Sequence, residues 1–133
     1  MTEEDIKNKN KVLIDYLRTI VKDFVIRAEY NTFDEDKNVI VVQEESGPKI
    51  VFYDAKPIYN YYNVDIFGNN IQVSKNVSVD IGNLIGENIY FNWNNQQWQI
   101  MIKQFNNPRT LEWSDIRRVS YTMTLQCIIN RIS

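Results

Sequence analysis

The sequence predicts an α+β fold: one domain in which a mostly antiparallel β-sheet carries two flanking helices. Three observations predict it. Val119, Tyr121, Met123, Leu125, Cys127 and Ile129 alternate with Ser120, Thr122, Thr124, Gln126 and Ile128, and side chains of an extended chain project to opposite faces with period two. The N-terminal stretch Glu3–Phe24 instead places apolar residues at helical spacing, so it is the natural cover for the strand's apolar face. The length of 133 residues, with 44% hydrophobic and 13% aromatic content, fits one core and no second domain.

The elements follow in order. Thr2 and Asp5 have the spacing of a capping box, and Glu3, Glu4 and Asp5 complement the positive end of a helix dipole. Ile6, Leu13, Leu17, Ile20, Val21 and Phe24 define the inward stripe, with Lys9, Lys11, Asp15, Arg18 and Lys22 elsewhere on the wheel. Val25–Tyr30 and Val39–Glu44 are β-prone runs separated by the polar segment Asn31–Asn38, which predicts a hairpin. Ser46, Gly47 and Pro48 make the next turn into a third run, Lys49–Asp54, completing a meander.

Ile58–Phe67 is apolar or aromatic on both faces, the mark of a central strand, and stops at Gly68. Asn69 or Asn70 then caps a helix reaching about Ile85, with Val77, Ile81, Leu84 and Ile85 inward and Gly86 as its stop. Val77, Val79 and Ile81 also alternate, so periodicity alone leaves a strand open there. Ile89, Phe91 and Trp93 face Trp98, Ile100 and Ile102 across a loop at Asn94–Gln96, a second hairpin with facing aromatics. Pro108 interrupts, and Arg109–Asp115 connects to the long final strand. The order is helix, β-meander, strand, helix, β-hairpin, long C-terminal strand.

The chemistry-bearing residues are sparse. The absence of histidine removes the usual general base, the triads built on it and the commonest zinc ligand. Cys127 is the only cysteine and lies on the apolar side of its strand, so it reads as a buried inert thiol. Gly47, Gly68, Gly82 and Gly86 never approach the spacing of a phosphate-binding loop. Asp34, Asp36, Asn38 and Glu45 imitate four positions of a calcium loop, yet Val39 stands where the sharp turn needs glycine. Asp54, Asp65, Asp80 and Glu112 are left as the carboxylates that a catalytic pair would draw on, although strand-end acids are ordinarily solvated or capping groups. No catalytic residue, cofactor site or metal site is assigned.

The formal charge is −2, unevenly spread. Residues 1–100 carry 10 basic and 15 acidic side chains, a net of −5, and residues 101–133 carry 5 and 2, a net of +3. Opposite-signed regions suit head-to-tail docking of copies, and they serve equally to keep a surface wet. The basic residues neither cluster nor interleave with aromatics, so no nucleic-acid footprint is present. No leader pattern or membrane-length apolar run occurs, and a soluble protein made in a reducing cytoplasm is expected.

The N-terminal helix, the meander with its long polar loop, "YYNVDIFGNN" with the helix after it, and the closing "DIRRVSYTMTLQCIINRI" together resemble the tail terminator proteins of tailed bacteriophages and contractile tail-like particles. The similarity is one of pattern over most of the chain, without a signature motif. It implies a helix over Asn70–Ile85 and a homo-oligomeric ring, typically a hexamer, on the head-proximal end of the tail tube. Such a ring stops tube growth and offers a docking face to the neck or head-tail connector. It also implies assembly in the bacterial host cytoplasm, a place in the virion or particle neck, and no enzymatic residue. Another head-completion or connector protein, or a small-molecule binding module with a pocket lined by Tyr59, Tyr61, Tyr62 and Phe67, is the alternative.

Partner contacts are expected on two polar excursions longer than a tight turn needs. One is the loop bearing Phe33, Asp34 and Lys37; the other is the connector bearing Phe105, Arg109 and Trp113. Trp93 and Trp98 are assigned to the core instead.

Overall fold

The computed structural model describes residues 3–28, 38–45, 60–68, 71–104, 109–110 and 119–133. In chain order these form helix α1 (Glu3–Ile20), strands β1 (Val25–Arg27), β2 (Val39–Glu45) and β3 (Asn60–Gly68), helix α2 (Ile71–Gly82), then β4 (Asn88–Trp93), β5 (Gln96–Gln104), β6 (Arg109–Thr110) and β7 (Val119–Arg131). The strands make one sheet in the order β1-β2-β3-β7-β5-β4, with β6 added against β7. All pairings are antiparallel except β1 with β2. The predicted α+β architecture is what the chain adopts.

The alternation in β7 holds: Met123, Leu125, Cys127 and Ile129 are all buried. They share the inner face with Tyr62, Val64 and Ile66 of β3, Ile40 and Val42 of β2, and Trp98, Ile100 and Ile102 of β5. Val12, Leu13, Ile14 and Leu17 of α1 and Val77 and Ile81 of α2 complete the same core. β3 is central, flanked by β2 and β7, and its opposite face is covered too, with Tyr61 9% and Asp65 5% exposed.

α2 resolves the ambiguity between helix and strand. Val77 and Ile81 point inward while Val79 is 51% exposed, as 3.6-residue periodicity requires and a strand forbids. Gly68 lets α2 approach the end of β3, because a Cβ there would collide with the Ser74 hydroxyl and lie 3.2 Å from the Ser74 Cβ and backbone nitrogen. The helix stops earlier than expected, at Gly82, and Ile85 instead bridges to Ile102 of β5.

Two expectations are corrected. First, Val25–Tyr30 and Val39–Glu44 do not form a hairpin: Val25, Ile26 and Arg27 run parallel to Val39, Ile40 and Val41. The connection is long enough for the chain to return in the same direction. The third run of the expected meander, Lys49–Asp54, lies outside the described residues, as does Thr2 of the capping box.

Second, α1 ends at Ile20, which is 37% exposed rather than inward, and its buried stripe begins with charge. Asp5 and Lys9, one turn apart, are 2% and 4% exposed. The Asp5 carboxylate pairs with Arg131 at 3.4 Å, and the Lys9 ammonium donates to Asn60 Oδ1 at 3.2 Å. Buried charges persist only when partnered, and the strand ends of β3 and β7 supply the partners. Desolvation lowers the Lys9 pKa, opposed by the nearby Glu44 carboxylate.

Candidate interaction surface

Of the residues expected at partner contacts, Arg109 is within the described residues. It opens β6, whose backbone pairs Arg109 with Thr122 and Thr110 with Tyr121. The connector expected over Arg109–Asp115 therefore begins as an added strand on β7. Phe33, Asp34, Lys37, Phe105 and Trp113 lie outside the described residues, as does most of the calcium-like segment.

Arg109 joins the sheet where its outer face is polar. The Thr122 hydroxyl donates to Asp65 Oδ1 at 2.7 Å, and Asn63 Nδ2 donates to the same oxygen at 3.1 Å. Gln126 Nε2 reaches the Tyr61 hydroxyl at 3.4 Å. Asp65 and Thr122 are directly opposite in the β3–β7 register, so the cluster follows from strand pairing. Sequence reasoning missed it because the pairing partner of each strand residue is not written in either strand alone.

Of the four acids considered for catalysis, the two among the described residues stand on opposite sides of the sheet. Asp65 faces outward from β3 into that hydrogen-bonded cluster, and Asp80 is exposed on α2, which packs on the inner face. Asp54 and Glu112 lie outside the described residues. The tyrosine-lined pocket is also undone. Tyr61 and Tyr62 are neighbours on an extended strand and point to opposite faces, and Tyr62 is fully buried in the core. Cys127 is buried as expected, and burial pushes its pKa from 9.0 up to about 12. Among the described residues no group of His, Cys, Asp and Glu side chains is placed to hold a metal ion, and no helix is long and apolar enough to cross a membrane.

α1 closes the sheet's two ends over the core. Asp15 Oδ2 accepts from the Trp93 indole N–H of β4 at 2.7 Å, and Asp15 Oδ1 accepts from Arg18 at 2.8 Å. Arg18 Nη2 donates in turn to the Ile26 carbonyl of β1, also at 2.8 Å. Since β1 and β4 terminate opposite ends of the strand order, one helical turn holds both ends and the sheet is curled around it. Tyr16 packs edge-on to Phe91, with centroids 5.5 Å apart, and Trp93 packs edge-on to Trp98 at 6.2 Å. Trp98 is thus a core residue and Trp93 packs half-buried against the core, on the inward side that their positions in the hairpin predict.

Two exposed features stand out among the described residues. A cleft of 320 Å³ lies between the end of α1 and α2, with Phe24, Val73 and Val77 inside and Lys22 and Asp80 among its other walls. β4 is the other: its residues alternate between exposed and half-buried, and Tyr90 at its middle is 59% exposed.

No protein family and no curated protein matches this chain. A solved structure does: it superposes with a TM-score of 0.54 at 10% identity, covering 100% of this chain and 99% of that one, and its name states no function. At that identity the likeness concerns the fold, which recurs along the whole chain.

Proposed function

We propose that this chain is a structural subunit of a phage tail or tail-like particle, forming a ring, typically of six copies, that caps the head-proximal end of the tail tube and joins it to the neck. The observation that carries the reading is that several buried polar and ionisable side chains are engaged by the fold itself. Asp65 is bonded to Thr122 and Asn63, Asp5 to Arg131 and Lys9 to Asn60. The Cys127 thiol is held protonated by burial. Groups so committed stabilise a body whose exposed surfaces act. The resemblance in sequence pattern supplies the identity of the particle.

The mechanism is geometric. A heterologous contact between identical subunits closes into a ring when the rotation per subunit fits, and a closed ring ends a tube that otherwise keeps adding subunits. The acidic balance of residues 1–100 suits a lumen that does not retain passing DNA, and the basic balance of residues 101–133 suits docking against an acidic neighbour.

Negative-stain imaging of the purified chain mixed with tail tubes is the test. Rings with a central channel, seated on tube ends that no longer elongate, are expected. Replacing Arg109 and Trp113 together with alanine leaves the monomer folded and weakens ring or tube binding. A protein that stays solitary beside tubes, or that turns over a substrate, overturns the reading; unaltered assembly of the double variant removes these two residues from the contact.

A further inference from the structure

We propose that β4 is a self-recognition edge: two copies of this chain pair through it, antiparallel, about a two-fold axis at Tyr90, so that one sheet continues into the next. This stands apart from the ring reading and uses a different surface.

The two ends of the sheet are treated differently. β1 is three residues long, and the Arg18 guanidinium occupies the Ile26 carbonyl on its outer side. A short edge plugged by a charged side chain is protected against pairing. β4 spans six residues, Asn88–Trp93, with no Lys, Arg, Asp, Glu or Pro. Among the described residues, none pairs with its outer side. Nothing in its sequence discourages a further strand.

The free hydrogen-bonding groups can be assigned. Asn94 and Asn95 both have positive φ, 52° and 59°, and make a two-residue turn flanked by the pair Trp93 and Gln96. Such a turn makes its flanking residues a hydrogen-bonded pair. Trp93, Phe91 and Ile89 therefore direct their backbone groups toward β5, and Asn92, Tyr90 and Asn88 direct theirs outward. The far side of β5 agrees: Gln97 bonds both ways with the C-terminal end of β7, its amide to the Ser133 carbonyl at 3.1 Å and its carbonyl to the Ile132 amide at 2.7 Å.

One register satisfies every outward group. With Tyr90 opposite Tyr90 of the second copy, Asn88 falls opposite Asn92, and all three outward residues become hydrogen-bonded pairs. The same register sets Ile89 opposite Phe91 on the helix side, where both are only half-buried and packed against the core. Apolar meets apolar on one face, and tyrosine meets tyrosine on the other. The nearest charge, Glu87, falls opposite Trp93, so no like charges meet. Because opposed residues share a face, both copies carry their helices on the same side of the continued sheet.

Sedimentation equilibrium over a concentration series tests this on the full chain, with Tyr90→Lys and Tyr90→Phe beside the wild type. A reversible dimer is expected. Tyr90→Lys sets two ammonium groups opposite each other at the axis and raises the dissociation constant about a hundredfold, while Tyr90→Phe retains the dimer. Amide exchange supplies the control for folding: Asn88, Tyr90 and Asn92 are protected in the wild-type dimer and exchange fast in Tyr90→Lys, whereas Ile89, Phe91 and Trp93 stay protected in both. A wild type that is monomeric throughout, or an assembly that Tyr90→Lys leaves intact, overturns the proposal. A larger assembly insensitive to Tyr90→Lys does so without touching the ring reading, and a dimer that never caps tubes does the reverse.

Discussion

Cys127 shows how much of a residue's chemistry is set by the strand that carries it. It sits between Leu125 and Ile129 on the inner face of β7, fully buried, and desolvation raises its pKa from 9.0 to about 12. The unfolded chain loses the thiol proton near pH 9, whereas the folded chain keeps it to about pH 12. The stability that Cys127 contributes is therefore fully present below pH 9 and is lost as pH rises from there toward 12. Replacing Cys127 with valine makes this measurable, because Lys9, Tyr16 and Tyr62 titrate in both proteins and Tyr62 is held up chiefly by its own burial, with Cys127 the last of its causes. Urea titrations should give a wild-type minus variant difference that is flat below pH 9 and then declines by about 1.4 kcal/mol per pH unit. A difference that stays flat through pH 11 shows that the thiol is not desolvated. The burial of this residue was readable from alternation alone; that of Asp5 and Lys9 was not, because their partners Arg131 and Asn60 are brought to them by the sheet.

At the scale of elements, legibility tracked how local each determinant is. β7 and the β4–β5 hairpin are each fixed by a period or a turn inside the element, and each is where its sequence places it, while α1 keeps its place but stops at Ile20, short of the expected Phe24. The β1–β2 pairing failed because direction is a property of the connection, which spacing does not reveal. α2 stood between: its alternating valines permitted a strand, and its contact with Gly68 selects the helix. Adding a methyl group at Gly68 forces α2 off the end of β3, since Ser74 is fully buried and its Cβ and backbone nitrogen also stand 3.2 Å away. Gly68→Ala should therefore cost about 1–3 kcal/mol, measured as a lower urea midpoint with an unchanged slope. Gly82, where a Cβ meets nothing within 4 Å, is the matched control. Gly82→Ala in the last turn of α2 should be neutral or stabilising by up to about 1 kcal/mol. Equal effects at both sites would show that helix propensity, not the close approach, governs this region.

For the molecule as a whole, the open question of a curled sheet is what keeps its ends together, since β1 and β4 share no ladder. The bonds from Trp93 to Asp15, Asp15 to Arg18 and Arg18 to the Ile26 carbonyl form a continuous tie across that gap. Its members differ in weight. The Asp15–Arg18 ion pair is 39% and 55% exposed, so solvent screening leaves it little of its own. The indole bond to the Asp15 carboxylate is part-buried and charge-assisted, and such bonds contribute about 1.5–3 kcal/mol. Asp15→Ala should accordingly destabilise the chain by about 1–2 kcal/mol. Trp93→Phe loses the same bond together with packing against Trp98, so a double-mutant cycle between Asp15→Ala and Trp93→Phe should give a coupling of about 1 kcal/mol. Where the loss appears is as informative as its size. If the tie closes the curl, amide exchange in Asp15→Ala rises first along β1 and β2, the end that α1 releases, while β3 and β7 keep the protection of global unfolding. Additive single effects, or exchange that rises evenly over all strands, would assign the closure to the apolar contacts of Leu13 and Leu17 with the inner face instead.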